Sequence, residues 1–137
     1  MLFISSFFTD ETMLLMYLTV LVLASHMMLG DAAVTVSNLR ASGLSGDAFG
    51  NRPDPYVKLW CNSVYGGRTD TIKDTTSPNW AGTYTFSSCR AGHSVRLEVW
   101  DQDLTNDDLL GSCSRTTSSG SRSTSCSLNK GTVLLKQ

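Results

Sequence analysis

The segment Val99-Trp100-Asp101-Gln102-Asp103-Leu104-Thr105-Asn106-Asp107-Asp108-Leu109-Leu110-Gly111 decides how this chain is read. Ahead of it, Val95, Leu97 and Val99 alternate with Ser94, Arg96 and Glu98, the two-residue period of a strand with one buried face. After Trp100 the alternation stops and four carboxylates fall within eight residues, so the strand gives way to an acidic loop. Aspartate is common in turns for its backbone hydrogen bonds alone. Four like charges on one short loop repel, however. Oxygen donors at these spacings suit a hard cation such as calcium, which takes about 6–8 oxygens at roughly 2.3–2.6 Å.

Upstream, Asp47-Ala48-Phe49-Gly50-Asn51-Arg52-Pro53-Asp54-Pro55 puts further carboxylates on a loop that enters a second strand, Tyr56-Val57-Lys58-Leu59. Asp54-Pro55-Tyr56-Val57-Lys58, Val99-Trp100-Asp101-Gln102-Asp103 and Leu109-Leu110-Gly111 resemble the C2-domain family of calcium-dependent lipid-binding sandwiches. Gly43-Leu44 and Ser77-Pro78-Asn79-Trp80 fall in the family's order, and the resemblance covers residues 33–137. Residues 107–113 and 119–131 resemble most the C2 domain that ends the perforins.

That resemblance implies an all-β fold, an eight-stranded antiparallel β-sandwich with both acidic loops at one end. It implies calcium as cofactor, with Asp47, Asp54, Asp101, Asp103 and one of Asp107 and Asp108 as ligands. Asp108 is favoured by its place three residues before Gly111. A phospholipid membrane surface is the implied partner, with Phe49 and Leu104 as its apolar contacts. Four cysteines allow three pairings. The resemblance implies Cys113–Cys126, which leaves Cys61–Cys89. Nothing in the 137 residues corresponds to a perforin's pore-forming domain, which leaves a free-standing targeting module, an adaptor or a competitor for membrane sites as the roles. The alternatives are a secreted protein-binding or structural sandwich, or an accessory factor in cytolysis or immune defence.

At 137 residues there is room for one domain. The 11 basic and 12 acidic residues nearly cancel, but no Lys or Arg occurs before position 33, where Asp10, Glu11 and Asp31 lie. Residues 33–137 therefore carry 11 basic and 9 acidic side chains, a net charge of +2. They contain no Lys/Arg cluster interleaved with aromatics, which argues against nucleic acid as a partner.

Residues 13–24 form an apolar run of signal-peptide length, followed by the small-x-small pattern Gly30-Asp31-Ala32. The reading is a signal peptide over residues 1–32, with Met13 as an alternative start, cleavage before Ala33 and secretion of a C2 domain over 33–137. The alternative is an uncleaved anchor, since the apolar stretch to Leu29 is about long enough to span a bilayer. All four cysteines follow this segment, as in an exported, oxidised domain, and their spacing includes no Cys-x-x-Cys.

Turn chemistry places the strands: the first opens with Val34-Thr35-Val36 and is broken by Ser42-Gly43-Leu44-Ser45-Gly46, and the others are Tyr56–Cys61, Thr69–Lys73, Gly82–Ser87, Ser94–Trp100, Leu110–Thr116, Ser121–Leu128 and Thr132–Lys136. Gly66-Gly67 reads as the tight turn before the third. Trp60, Trp80 and Trp100 are expected in the core. His93 is the one histidine after residue 32, and no nucleophile elbow or phosphate loop occurs, so an enzyme is not expected.

Overall fold

The computed structural model describes residues 10–28, 33–47 and 49–137. The chain divides into two units, Met1–Ala32 and Ala33–Gln137. In the first, helix α1 (Asp10–Met28) begins with Asp10 and Glu11 in its first turn, where carboxylates oppose the helix dipole. Its apolar side chains from Met13 to Leu23 are exposed. Among the described residues no helix is long and apolar enough to cross a membrane. The expected cleavage pattern Gly30-Asp31-Ala32, Leu29 and residues 1–9 lie outside the described residues.

The second unit contains nine strands among the described residues, in two antiparallel sheets. They are β1 (Val34–Ser42), β2 (Pro55–Cys61), β3 (Val64–Arg68), β4 (Asn79–Trp80), β5 (Tyr84–Phe86), β6 (Ser94–Asp101), β7 (Asp108–Thr116), β8 (Ser123–Leu128) and β9 (Gly131–Lys136). One sheet runs β4-β1-β9-β8, with β5 pairing the first part of β1, and the other runs β3-β2-β6-β7. Alternation sets the facing: Val95, Leu97 and Val99 of β6 are buried while Ser94 and Arg96 are exposed. Val57 and Leu59 of β2, Val36 and Leu39 of β1, and Val133 and Leu135 of β9 complete the interior.

Both disulfides form as expected, and the second ties one sheet directly to the other. Cys61 ends β2 and bonds Cys89 beyond β5, and Cys113 of β7 bonds Cys126 of β8. Closing a loop of about 14 residues contributes about 3 kcal/mol in the chain-entropy model. That is a useful margin for a sandwich of this size.

Three expectations need correction. The tight turn after β2 lies at Asn62-Ser63, both with positive φ (49° and 64°), so Gly66-Gly67 falls inside β3. Gly66 is required there because the Phe86 ring occupies the space a Cβ would take. Thr69–Lys73 is not a strand. It follows β2 irregularly, because the Thr69 hydroxyl itself accepts the Val57 N–H at 2.9 Å and replaces a ladder bond. Finally, only Trp80 of the tryptophans is core, at 3% exposure. Trp60 and Trp100 are half-buried on the outer face of β2-β6. There the guanidinium of Arg96 lies 5.6 Å from the Trp60 ring and Lys58 Nζ 4.6 Å from the Trp100 ring, so cations cover what the core does not.

Leu97→Ala removes a side chain 1% exposed at the sheet-to-sheet contact. Urea denaturation should show a loss of about 2–5 kcal/mol, against within about 0.5 kcal/mol for Val64→Ala on the exposed edge strand β3. Equal losses would contradict the facing described here.

Candidate metal centre

The acidic residues are presented by the β2–β6–β7 ladder, whose register opposes Pro55 to Asp101 and Asp101 to Asp108. The ladder thus continues one residue past Trp100, and Asp101 is a strand residue 4% exposed rather than a loop residue. Its Oδ1 accepts the backbone N–H of Asp54 at 2.7 Å, and the Asp54 carbonyl accepts the Gln102 N–H at 3.0 Å. These bonds fasten the 45–54 loop to the loop that leaves β6.

Three carboxylates meet in the space so formed. One oxygen from each of Asp47, Asp101 and Asp103 lies within 4.8 Å of the others. Asp54 Oδ1 accepts the N–H of Asp74 at 2.7 Å, which fixes that carboxylate from a third segment. Asp108 faces Asp103 through a side-chain hydrogen bond. Asp107 has both oxygens engaged: Oδ1 accepts the Asp103 N–H at 3.0 Å, and Oδ2 accepts the Tyr56 hydroxyl at 2.6 Å. It therefore buttresses the loop from beside the cluster of three.

Electrostatics records the crowding. Partial desolvation, the Asp101 charge and the bond with Asp108 push the Asp103 carboxyl up to about 6. Burial raises Asp101 as well, against the lowering effect of the Asp54 N–H, and the charges of Asp47, Asp54 and Asp108 add to the rise. Asp107 moves the other way, lowered by the Tyr56 hydroxyl and then by the Asp103 N–H. Tyr56, raised by burial and then by that same bond, reaches about 12. The cluster is all carboxylate oxygen, with no His or Cys, as a hard cation such as calcium requires. A carboxylate group held at raised pKa by its neighbours lacks a positive charge that such an ion supplies.

The expected apolar contacts are the most exposed large hydrophobics described. Phe49 is 93% exposed and Leu104 fully exposed, one on each acidic loop. Sequence reasoning missed Asp74 and Tyr56 as supports. Asp74 has positive φ (54°), and an Asp in a run without turn spacing gives no sign that its N–H will hold Asp54.

A family model for the C2 domain matches residues 32–130. The chain belongs to the C2-domain family. This C2 domain is 41% identical to human perforin-1 over 108 residues and 37% identical to mouse perforin-1 over 110. Those matches take in 74% and 76% of this chain but only 19% of either perforin, so the chain spans about a fifth of these relatives. A solved structure titled "Structure of a C2 domain" superposes with a TM-score of 0.69 at 33% identity, covering 74% of this chain and 91% of the other.

A carboxyl whose folded pKa exceeds its unfolded value favours the fold below the unfolded value and loses that contribution as pH rises through the folded one. For Asp103 the window runs from about 4 to about 6. In chelator, stability should therefore fall across this window, and Asp103→Asn should flatten that part of the profile. Thermal melts at stepped pH check this, and an unchanged profile in the variant would contradict it.

Proposed function

We propose that this C2 domain is a secreted, calcium-dependent phospholipid-binding module. The observation that supports it best is the meeting of Asp47, Asp101 and Asp103 at the loop end that also presents Phe49 and Leu104. Asp101 is the fixed ligand, held by its bond to the Asp54 N–H inside the β2–β6 ladder. Asp47 and Asp103 close on it from either loop, and Asp54 and Asp108 complete the set. Bound calcium would cancel the negative field that otherwise repels anionic headgroups and would offer coordination positions to lipid phosphate. Phe49 and Leu104 then enter the interface. Each is worth about 1.5–3 kcal/mol when buried, too little to hold a domain on a membrane without the ion.

Export fits this reading. The run over residues 13–24 would act as the signal h-region, with cleavage before Ala33, and two disulfides suit an oxidising compartment. The site presents acids and no nucleophile–base pair, so the module is read as non-catalytic.

The tests are calorimetry and vesicle co-sedimentation. Calcium affinity is expected in the range of about 10⁻⁴–10⁻³ M, as for extracellular modules permanently bathed in the ion. Asp54→Asn, Asp101→Asn and Asp103→Asn should each abolish calcium-dependent binding to anionic vesicles, and Asp107→Asn should cost less than Asp108→Asn. Stronger binding without calcium in these variants would show that the acids merely repel. Absence of vesicle binding by the unmutated domain, with calcium and without, would favour a protein-contact module instead.

A further inference from the structure

A groove of about 540 Å³ lies on the outer face of the β1-β9-β8 sheet, beside the last residues of β7. The strand register assembles it. Leu134 of β9 pairs with Arg40 on one side and Ser125 on the other, and Lys136 stands two residues along on the same face as Leu134. Arg115 reaches across from β7 and donates from Nη2 to the Ser125 carbonyl at 2.9 Å, which fixes its guanidinium at the rim. Arg122 is tied to the end of β9 by paired backbone bonds with Gln137, both 2.8 Å. Four cations therefore surround one groove, and its lining includes no Asp or Glu.

The cations of this surface are exposed and solvated rather than paired with acids. Among the described residues Arg40, Arg122 and Lys136 make no ion pair, and the one ion pair there, Arg96–Glu98, is on the other sheet. Gln137, which also lines the groove, has its Nε2 buried without an acceptor, the single such atom among the described residues. Buried donors in native proteins normally have a partner. Cations with interleaved Ser and Thr hydroxyls make a surface rich in donors. The ligand chemistry that answers it is a chain of oxyanions and hydroxyls.

We infer that this groove is a second binding site, for a sulfated polysaccharide. Position argues against a lipid headgroup. Asp108 at the acidic end and Arg115 at the groove are seven residues apart on β7, about 23 Å at strand rise, so a membrane against the acidic loops is out of reach. An extended polymer bearing a sulfate on successive rings meets no such limit. Three of the four cations are arginines, whose planar forks bind sulfate oxygens bidentately.

The probe is a heparin octasaccharide, titrated by calorimetry into the folded domain at about 150 mM salt, in calcium and in chelator. Binding should persist in chelator, which separates this site from the calcium-dependent reading of the loops, so either can fail without the other. Arg122→Glu with Lys136→Glu should weaken it at least about tenfold, while the charge-matched pair Lys73→Glu with Lys130→Glu should change it less than about twofold. Circular dichroism and melting checks that both variants fold. The inference is overturned if no binding is seen at that salt, if both pairs weaken it equally, or if single-stranded DNA competes as well as heparin. Preference for vesicles containing a polyphosphorylated inositol lipid over the sugar would also overturn it.

Discussion

The bond from the Asp54 N–H to Asp101 Oδ1, 2.7 Å long, is the constraint on which the loop end depends. It joins a carboxylate at the last position of β6 to the residue that precedes β2, and both are anchored by the longest unbroken register among the described strands, Pro55–Cys61 against Val95–Asp101. A buried carboxylate is costly unless something donates to it. Here the donor is a main-chain N–H whose position the ladder sets, so the carboxylate is placed by backbone geometry. Pro55 contributes by restricting Asp54 to extended conformations, which carries the 45–54 loop straight onto the strand.

Around that fixed point the other acids are held at graded stiffness. Asp54 is pinned through Asp74, and Asp103 through its N–H to Asp107, which is itself held by the Tyr56 hydroxyl. Tyr56 is 2% exposed with the Arg68 guanidinium 3.6 Å from its ring centroid, so its hydroxyl has little freedom. Asp47 has a looser support: it is exposed, and its loop closes by the Gly50 N–H on the Asp47 carbonyl at 3.1 Å, with Gly50 at positive φ (78°). An ion of calcium's size tolerates the irregular oxygen shell that such unequal supports would offer.

The strands that build this base were plain in the sequence because their alternation is strict: Val95, Leu97, Val99 and Val57, Leu59 declare the buried face without help. The acidic loops were plain because four carboxylates in eight residues have few structural uses. What did not show was long-range. Thr69–Lys73 has the composition of a strand, and only the insertion of the Thr69 hydroxyl into the β2 edge denies it that state. Gly66-Gly67 looked like a turn because glycine usually marks one, whereas Phe86, 20 residues on, is what requires Gly66. Trp60 and Trp100 looked like core because large aromatics usually are, and the cations that cover them sit on neighbouring strands. The cationic groove was hidden for the same reason, since its four charges are scattered from position 40 to position 136 and only the register gathers them.

Calcium titration of the isotopically labelled domain, followed by amide NMR, tests the central claim most directly. If the β2–β6 ladder holds a preformed calcium site, the shifts will concentrate on residues 45–54, 74 and 101–109 and saturate in the millimolar range. The amides near Cys113–Cys126 and along β9 past Leu134 will stay in place. An unresponsive spectrum at several millimolar calcium, or shifts gathered away from Asp54 and Asp101, would contradict the account.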